Sequence, residues 1–167
     1  GLAISMACAL LIVFWVRDET SYDKFNSNLK DIYRVTCLGR EFSGFSSPAP
    51  FAPAVAEEIP EVVEAARVAR NPQLVFKQGE RAFYETGGIT TDPALFRIFS
   101  FPLVKGDAGT ALAGPLGIVI SETMARKYFG GEDPIGKTLD LEGRYAMIVG
   151  GVMADIHPNT PFQFHYA

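Results

Sequence analysis

Gly131-Glu132-Asp133-Pro134-Ile135-Gly136-Lys137-Thr138 satisfies the pattern GxxxxGK[ST] at every defined position. In a phosphate-binding loop that spacing lets successive backbone N–H groups at a helix start converge on phosphate oxygens. Here the flanking patterns run in the opposite order, with a helical pattern before the motif and a strand pattern after it. Pro134 has no N–H to offer, and Glu132 and Asp133 set two negative charges where a polyphosphate would lie. Gly131–Thr138 is therefore read as a turn, and no cofactor is assigned to it. The only histidines, His157 and His165, join Asp155 as candidate metal ligands. A spacing of eight puts the two rings on no shared helical turn, and Pro158 and Pro161 interrupt the segment, so no metal site is assigned. Glu57, Glu58, Glu61 and Glu64 form the densest carboxylate group, but no apolar pocket lies beside them to separate an acid from a base. Ser43, Ser46 and Ser47 lack the strand–turn–helix setting that presents a nucleophilic hydroxyl. Phe42, Phe45 and Phe51 are read as packing beneath a Ser/Pro-rich loop. No catalytic residue emerges.

The composition agrees with a binding or mechanical part and not with several other classes. Of 167 residues, 48% are hydrophobic and 12% aromatic, enough for a real core and too apolar for a disordered tail. Lys and Arg number 15 against 19 acidic residues, and no basic cluster exists to neutralise phosphates, so nucleic acid is excluded as a partner. Two cysteines rule out a disulfide scaffold. The mean hydropathy of +0.13 has a local source. Gly1–Val16 (GLAISMACALLIVFWV) carries no charge. As a helix it rises roughly 24 Å, against a bilayer core of about 30 Å. A membrane helix cut short at its start is the reading adopted, with Trp15 at the interface. A signal-peptide core is the first rival, although no small-x-small cleavage site follows; a buried helix is the second. Arg17–Lys24 lacks the Lys/Arg excess of a cytoplasmic flank, which places the following residues on the other side.

The elements that would carry these residues mix strands and short helices without alternation, so the class is α+β. Strands are expected at Asp31–Leu38, near Ala65–Ala69, from Gly88, at Gly117–Ile120, at Lys137–Leu141 and at Tyr145–Val152. Leu74–Lys77 and Arg81–Glu85 should form a hairpin through Gln78-Gly79-Glu80. Pro53 opens a short helix that ends before Pro60. Asp92 is expected to cap a helix carrying Leu95, Phe96 and Phe99, and Ser121 one carrying Met124, Ala125, Tyr128 and Phe129. Gly130-Gly131 stops the latter. Glu41–Pro50 reads as a loop.

Several phrases, in order, resemble one family. Trp15-Val16-Arg17-Asp18-Glu19-Thr20-Ser21-Tyr22-Asp23-Lys24-Phe25 resembles the exit of the first membrane helix in FtsX-like ABC transporter permeases. Asp31-Ile32-Tyr33-Arg34-Val35 is similar to the first strand of their MacB-like periplasmic core domain. Asp92 to Leu103, Ser121 to Gly130, Asp133 to Leu139 and Val149-Gly150-Gly151-Val152 with Asp155 resemble later parts of it, in a style like the Bacteroidota branch, with one extra Gly or a substituted position in the last phrase. The resemblance implies an N-terminal fragment of a permease in the cytoplasmic (inner) membrane: a membrane helix at 1–17, a connector at 18–30, and an incomplete periplasmic core domain at 31–167. It implies a non-enzymatic subunit, with ATP hydrolysed by a separate ABC ATPase subunit. The further partners implied are a second permease copy, a periplasmic adaptor protein and the lipid bilayer. Helix movement would pass to the domain through Arg17, Asp18, Glu19, Ser21, Tyr22, Asp23 and Phe25. A membrane-anchored extracytoplasmic sensor or ligand-binding domain is the alternative, and a secreted enzyme a third.

Overall fold

The computed structural model describes residues 1–21, 25–38, 43–44, 47–156, 160 and 162–167. Helix α1 (Leu2–Glu19) is followed by one 3₁₀ turn (Leu29–Asp31) and the short strands β1 (Cys37–Leu38) and β2 (Ser43–Gly44). Helix α2 (Phe51–Glu58), β3 (Val68–Arg70), β4 (Leu74–Gln78), β5 (Arg81–Glu85), β6 (Ile89–Thr91) and α3 (Leu95–Ile98) come next. The chain closes with β7 (Leu103–Lys105), β8 (Gly117–Ser121), α4 (Glu122–Phe129), β9 (Thr138–Leu141) and β10 (Tyr145–Met153). The class is α+β.

Strand β10 organises the main sheet, whose order is β5-β4-β9-β10-β7, with β8 also pairing β10. Residues 145–148 pair antiparallel with β9, and Val152 and Met153 pair with β7. Strand β8 runs parallel along residues 148–153, and its register slips at one point: Val149 faces Ile118 but Gly151 faces Val119. Gly150 is the inserted residue of this β-bulge. A Cβ there would lie 2.1 Å from the Ala111 carbonyl oxygen, so only glycine admits this close passage of backbone over the strand. The extra glycine of the Val149–Val152 phrase thus has a physical function.

Most short-range readings match. The β4–β5 hairpin turns at Gly79-Glu80 with Gln78 opposite Arg81, and Gly79 takes a φ of +60°. Ser121 Oγ accepts from Met124 N at 3.2 Å and caps α4, which Gly130 ends at φ +63°. Met124, Tyr128 and Phe129 bury the inner face of α4 against Phe76, Leu139 and Val149.

Five expectations change, the first being that α2 starts at Phe51 after Pro50 and not at Pro53. Ile32–Thr36 belongs to no strand; among the described residues of this stretch Cys37–Leu38 forms one, and its partner Ser43–Gly44 lies in the stretch read as loop. β-propensity supplies a conformation, but a ladder needs a neighbouring edge. Helix α3 starts after Ala94, and Asp92 makes no side-chain cap. Its carboxylate instead takes a bidentate bond from Arg67, at 2.8 and 2.6 Å. The strand near Ala65–Ala69 lies slightly later, as β3, and pairs with β6. Finally, α1 ends in Arg17, Asp18 and Glu19, and no helix among the described residues is long and apolar enough to cross a membrane.

Replacing Gly150 with alanine is expected to destabilise the fold by about 2–3 kcal/mol, because backbone and not a pliable side chain occupies the space. A fall of several degrees in melting temperature checks this; an unchanged melt would mean that β10 and the Ala111 turn can separate freely.

Candidate functional site

The described residues contain no group of three His, Cys, Asp or Glu side chains placed to hold a metal ion. His157 lies outside the described residues, His165 is exposed, and Asp155 is engaged elsewhere. Its carboxylate accepts from Thr123 N at 3.0 Å and Thr123 Oγ1 at 2.7 Å, and it meets Arg126 at 3.3 Å. Burial pushes the Asp155 carboxyl up, but these donors outweigh it and hold the group below the ordinary carboxylate range. Asp155 thereby ties the end of β10 to the start of α4.

The glycine-rich segment runs from α4 into β9, and its charges face one another. Lys137 pairs with Glu132, and Lys105 with Asp133 at 3.0 Å. The carboxylate group divides: Glu57 and Glu58 are exposed at the end of α2, Glu61 is exposed beyond it, and Glu64 binds Arg97 at 2.6 Å. Ser47 is exposed and Phe51 half-buried, while Ser46, Phe42 and Phe45 lie outside the described residues. A cleft of about 440 Å³ lies between the main sheet and β6, lined by Leu74, Phe76, Ile89, Leu141, Met147 and Tyr166 among others. Among the described residues that line it, Tyr166 is the one titratable side chain, and burial raises its phenol above the ordinary value. A cleft with one neutral phenol has no acid–base pair.

The segment after α1 docks at the corner between α3 and β7. Helix α1 ends with Thr20 N bonded to the Val16 carbonyl at 2.9 Å and with Ser21 Oγ bonded to that of Asp18 at 2.6 Å. Arg17, Asp18 and Glu19 therefore form the helix end itself, Ser21 lies just past the cap Thr20, and Tyr22 and Asp23 lie outside the described residues. Phe25 reaches the domain: its ring lies 5.6 Å from that of Phe101, tilted by 40°. The next two residues, absent from the expected coupling set, bind more specifically. Asn26 is 5% exposed, and its Oδ1 accepts from Ser100 N at 3.0 Å. Ser27 N donates to Ser100 Oγ at 3.0 Å, and the two hydroxyls lie 2.8 Å apart. No spacing rule points to a contact across 74 positions. The one local signal was a short amide beside an aromatic ring.

Several attachments hold the corner. Arg67 grips Asp92 ahead of α3, and Glu64 grips Arg97 within it. Phe101, 6% exposed, packs against the rings of Phe25, Phe96, Phe99, Phe162 and Phe164. Pro102 accepts from Ala154 N at 2.9 Å, immediately past β10. Ser100, Phe101 and Pro102 thus link Asn26 to the residue that follows the central strand.

Known proteins agree with this architecture. The family model for the MacB-like periplasmic core domain matches residues 1–165. The chain belongs to that family. Among solved structures, this MacB-like domain is similar to a domain of a protein described as a permease from Porphyromonas gingivalis. The two share 29% identity over 69% of this chain and 49% of the other, with a TM-score of 0.58. The periplasmic region of MacB from Actinobacillus actinomycetemcomitans shares the fold at 17% identity and a TM-score of 0.50, over 62% of this chain and 49% of that one. The chain thus spans about half the length of these structures. No curated protein matches it at a significant level.

The Asp92–Arg67 pair gives the corner a pH dependence. The Arg67 hydrogen bond, with a smaller opposing effect of burial, holds the Asp92 carboxyl below its ordinary value. A depressed carboxylate contributes its stability fully above the unfolded pKa of about 3.9 and loses it as pH falls through the lower folded value. Arg67→Ala should therefore lower the urea midpoint most at pH 5–7, and its curve should converge with the wild type below pH ~3. A constant gap down to pH ~2.5 would show that Arg67 acts by packing alone.

Proposed function

We propose that this MacB-like domain is the extracytoplasmic part of an ABC-transporter permease subunit, anchored by α1 and driven by ATP hydrolysis on a separate ATPase subunit. The observation that carries the reading is α1 itself, considered with the family. None of its residues is buried, and Leu11, Phe14 and Trp15 are 68%, 61% and 65% exposed. Leaving a helix apolar on every face in water forfeits roughly 1.5–3 kcal/mol for each large side chain, so another apolar phase must cover it. Lipid supplies that phase on all sides at once. Arg17, Asp18 and Glu19 would then sit at the headgroup level, with the domain beyond them. The connector from Thr20 to Asn26 is short and is not a Gly/Ser sequence, and Asn26 bonds to the domain. Helix displacement would therefore reach the domain. A second permease copy and a periplasmic adaptor are the further partners of this reading.

Val63, 93% exposed, provides the topological test. In the full-length protein with its other cysteines replaced, Val63→Cys should react with a membrane-impermeant maleimide in intact spheroplasts, and an ATP-hydrolysing subunit should co-purify. Labelling that needs lysis would overturn the reading; co-purification of a kinase in place of the ATPase would favour a sensor.

A flexible Gly/Ser stretch inserted after Phe25 should leave the domain folded and ATP hydrolysis running while abolishing nucleotide-driven movement of the domain. The movement is read by spin labels at Glu80, on the hairpin tip, and at an exposed site of the ATPase subunit. Undiminished movement in the insertion variant would mean that force enters elsewhere.

A further inference from the structure

Resting on the permease reading for a second copy in the same membrane, we propose that β5 (Arg81–Glu85) is a docking edge. It pairs antiparallel with β5 of that second copy, about a two-fold axis at Phe83. The sheet order β5-β4-β9-β10-β7 puts β5 at one margin, and among the described residues no strand pairs with its outer side. The hairpin decides which groups face outward. Its two-residue turn, Gly79-Glu80, makes Gln78 and Arg81 a hydrogen-bonded pair, and alternation makes Phe76–Phe83 and Leu74–Glu85 the next ones. Ala82 and Tyr84 then point their N–H and C=O groups away from β4. Strand β4 shows the same phase from its far side. Val75, opposite Tyr84, turns its carbonyl to Glu142 N at 2.9 Å and its N–H to the Glu142 carboxylate at 2.6 Å.

An edge with two outward donors and two outward acceptors is a template for another strand, and proteins usually guard such an edge with lysine, proline, a bulge or brevity. Strand β7, at the opposite margin, has three residues and carries Lys105. Strand β5 has five residues without lysine, proline or a register shift, and Tyr84 on it is 71% exposed. Its sequence is also complementary to itself. With Phe83 facing the second copy's Phe83, Ala82 falls opposite Tyr84 twice, a small residue beside a large one, and their main chains exchange bonds. On the α4 face Arg81 falls opposite Glu85 at both ends, cation against carboxylate. Glu85 is already oriented, because its Oε1 accepts from Lys127 Nζ at 2.7 Å and from Tyr128 Oη at 2.8 Å. A slip by one residue would set the α4 face of one copy beside the open face of the other, and a parallel pairing in register would set Arg81 beside Arg81. A contact this small falls short of the roughly 1,200 Å² of a stable interface, so it forms between copies that the membrane already holds close, where the effective concentration is high.

The experiment uses the full-length permease with its ATPase subunit in membranes, its other cysteines replaced, and oxidation by copper phenanthroline before denaturing electrophoresis. Phe83→Cys should cross-link to itself, because facing residues of a non-hydrogen-bonded pair have Cα atoms about 4.5 Å apart, within the span of a disulfide. Glu80→Cys, at the hairpin tip, should give no dimer band. Ala82→Cys on one tagged copy should cross-link to Tyr84→Cys on another; both residues are exposed, so this pair decides if Phe83→Cys does not fold. Adding Ala82→Pro to Phe83→Cys should abolish the band at an unchanged melting temperature, since the lost N–H faces away from β4. Equal bands at positions 80 and 83, or a band that survives Ala82→Pro, would overturn the paired edge and leave the permease reading intact. So would the absence of any band, or cross-linking of Phe83→Cys to a different protein. A register-specific band in a complex without an ATPase subunit would overturn the permease reading and keep the pairing.

Discussion

The main sheet depends on one strand, β10, that is paired from Tyr145 to Met153, with β9 at its start and β8 and β7 at its end. Strand β10 meets β9 and then β7, and pairs with β8 as well, and the change from one neighbour to the next coincides with the bulge at Gly150. An extra residue in one strand reverses which N–H groups face which edge. It thereby allows the second half of β10 to accept β7 where the first half accepted β9. Without glycine at this place, the Ala111 backbone could not pass over the strand, and the Asp107–Ala113 turns that lead into β8 would have no seat. The backbone requirement comes first, and the surrounding burial of Val149, Val152 and Met153 follows from it.

What lies beyond β10 inherits its position. Ala154 fixes Pro102, and Asp155 fixes the start of α4, so two consecutive residues reach opposite parts of the fold. The ring cluster around Phe101 fills the space between them and brings Phe162 and Phe164 onto the same core. Residues 165–167 then run beside β8, with Val119 and Ala167 exchanging both backbone bonds, and touch β6 through Tyr166. The domain is thus a sheet with a small ribbon attached, and the corner at Ser100–Pro102 belongs to the sheet through hydrogen bonds and to the ribbon side through apolar contact.

Features determined by a few neighbouring residues could be read from the sequence, and those determined by distant partners could not. The α4 cap needs only Ser121 and the next turn, and the hairpin needs only Gly79 between two apolar runs; both appear where expected. The helix after Asp92 was anticipated, but its start was not. Arg67, 25 positions away, binds the carboxylate more strongly than a single helical N–H can. The strand over Asp31–Leu38 was misjudged for the same kind of reason, since alternation describes a residue's preference and not the presence of an edge. At the corner between α3 and β7, Phe25 was among the expected contacts and Asn26 was not. An aromatic residue just after an apolar helix has few places to go, whereas a buried amide is recognisable only once its partner is known. The extra glycine at Gly150 was visible as a departure from the family phrase; its meaning needed the Ala111 carbonyl.

That corner uses polar atoms at a place where apolar packing was available. Phe25 already covers part of Phe101, and a further aliphatic side chain at position 26 would bury more area and contribute comparable stability. Apolar contact is nearly indifferent to direction, so such a joint would resist separation and permit rotation. An amide paired to a backbone N–H resists both, because losing the bond while staying buried costs about 1–3 kcal/mol. That penalty is small beside the stability of a domain and large beside thermal energy. At this corner the amide therefore favours one position of Asn26 on Ser100, where an aliphatic side chain would accept a range of them.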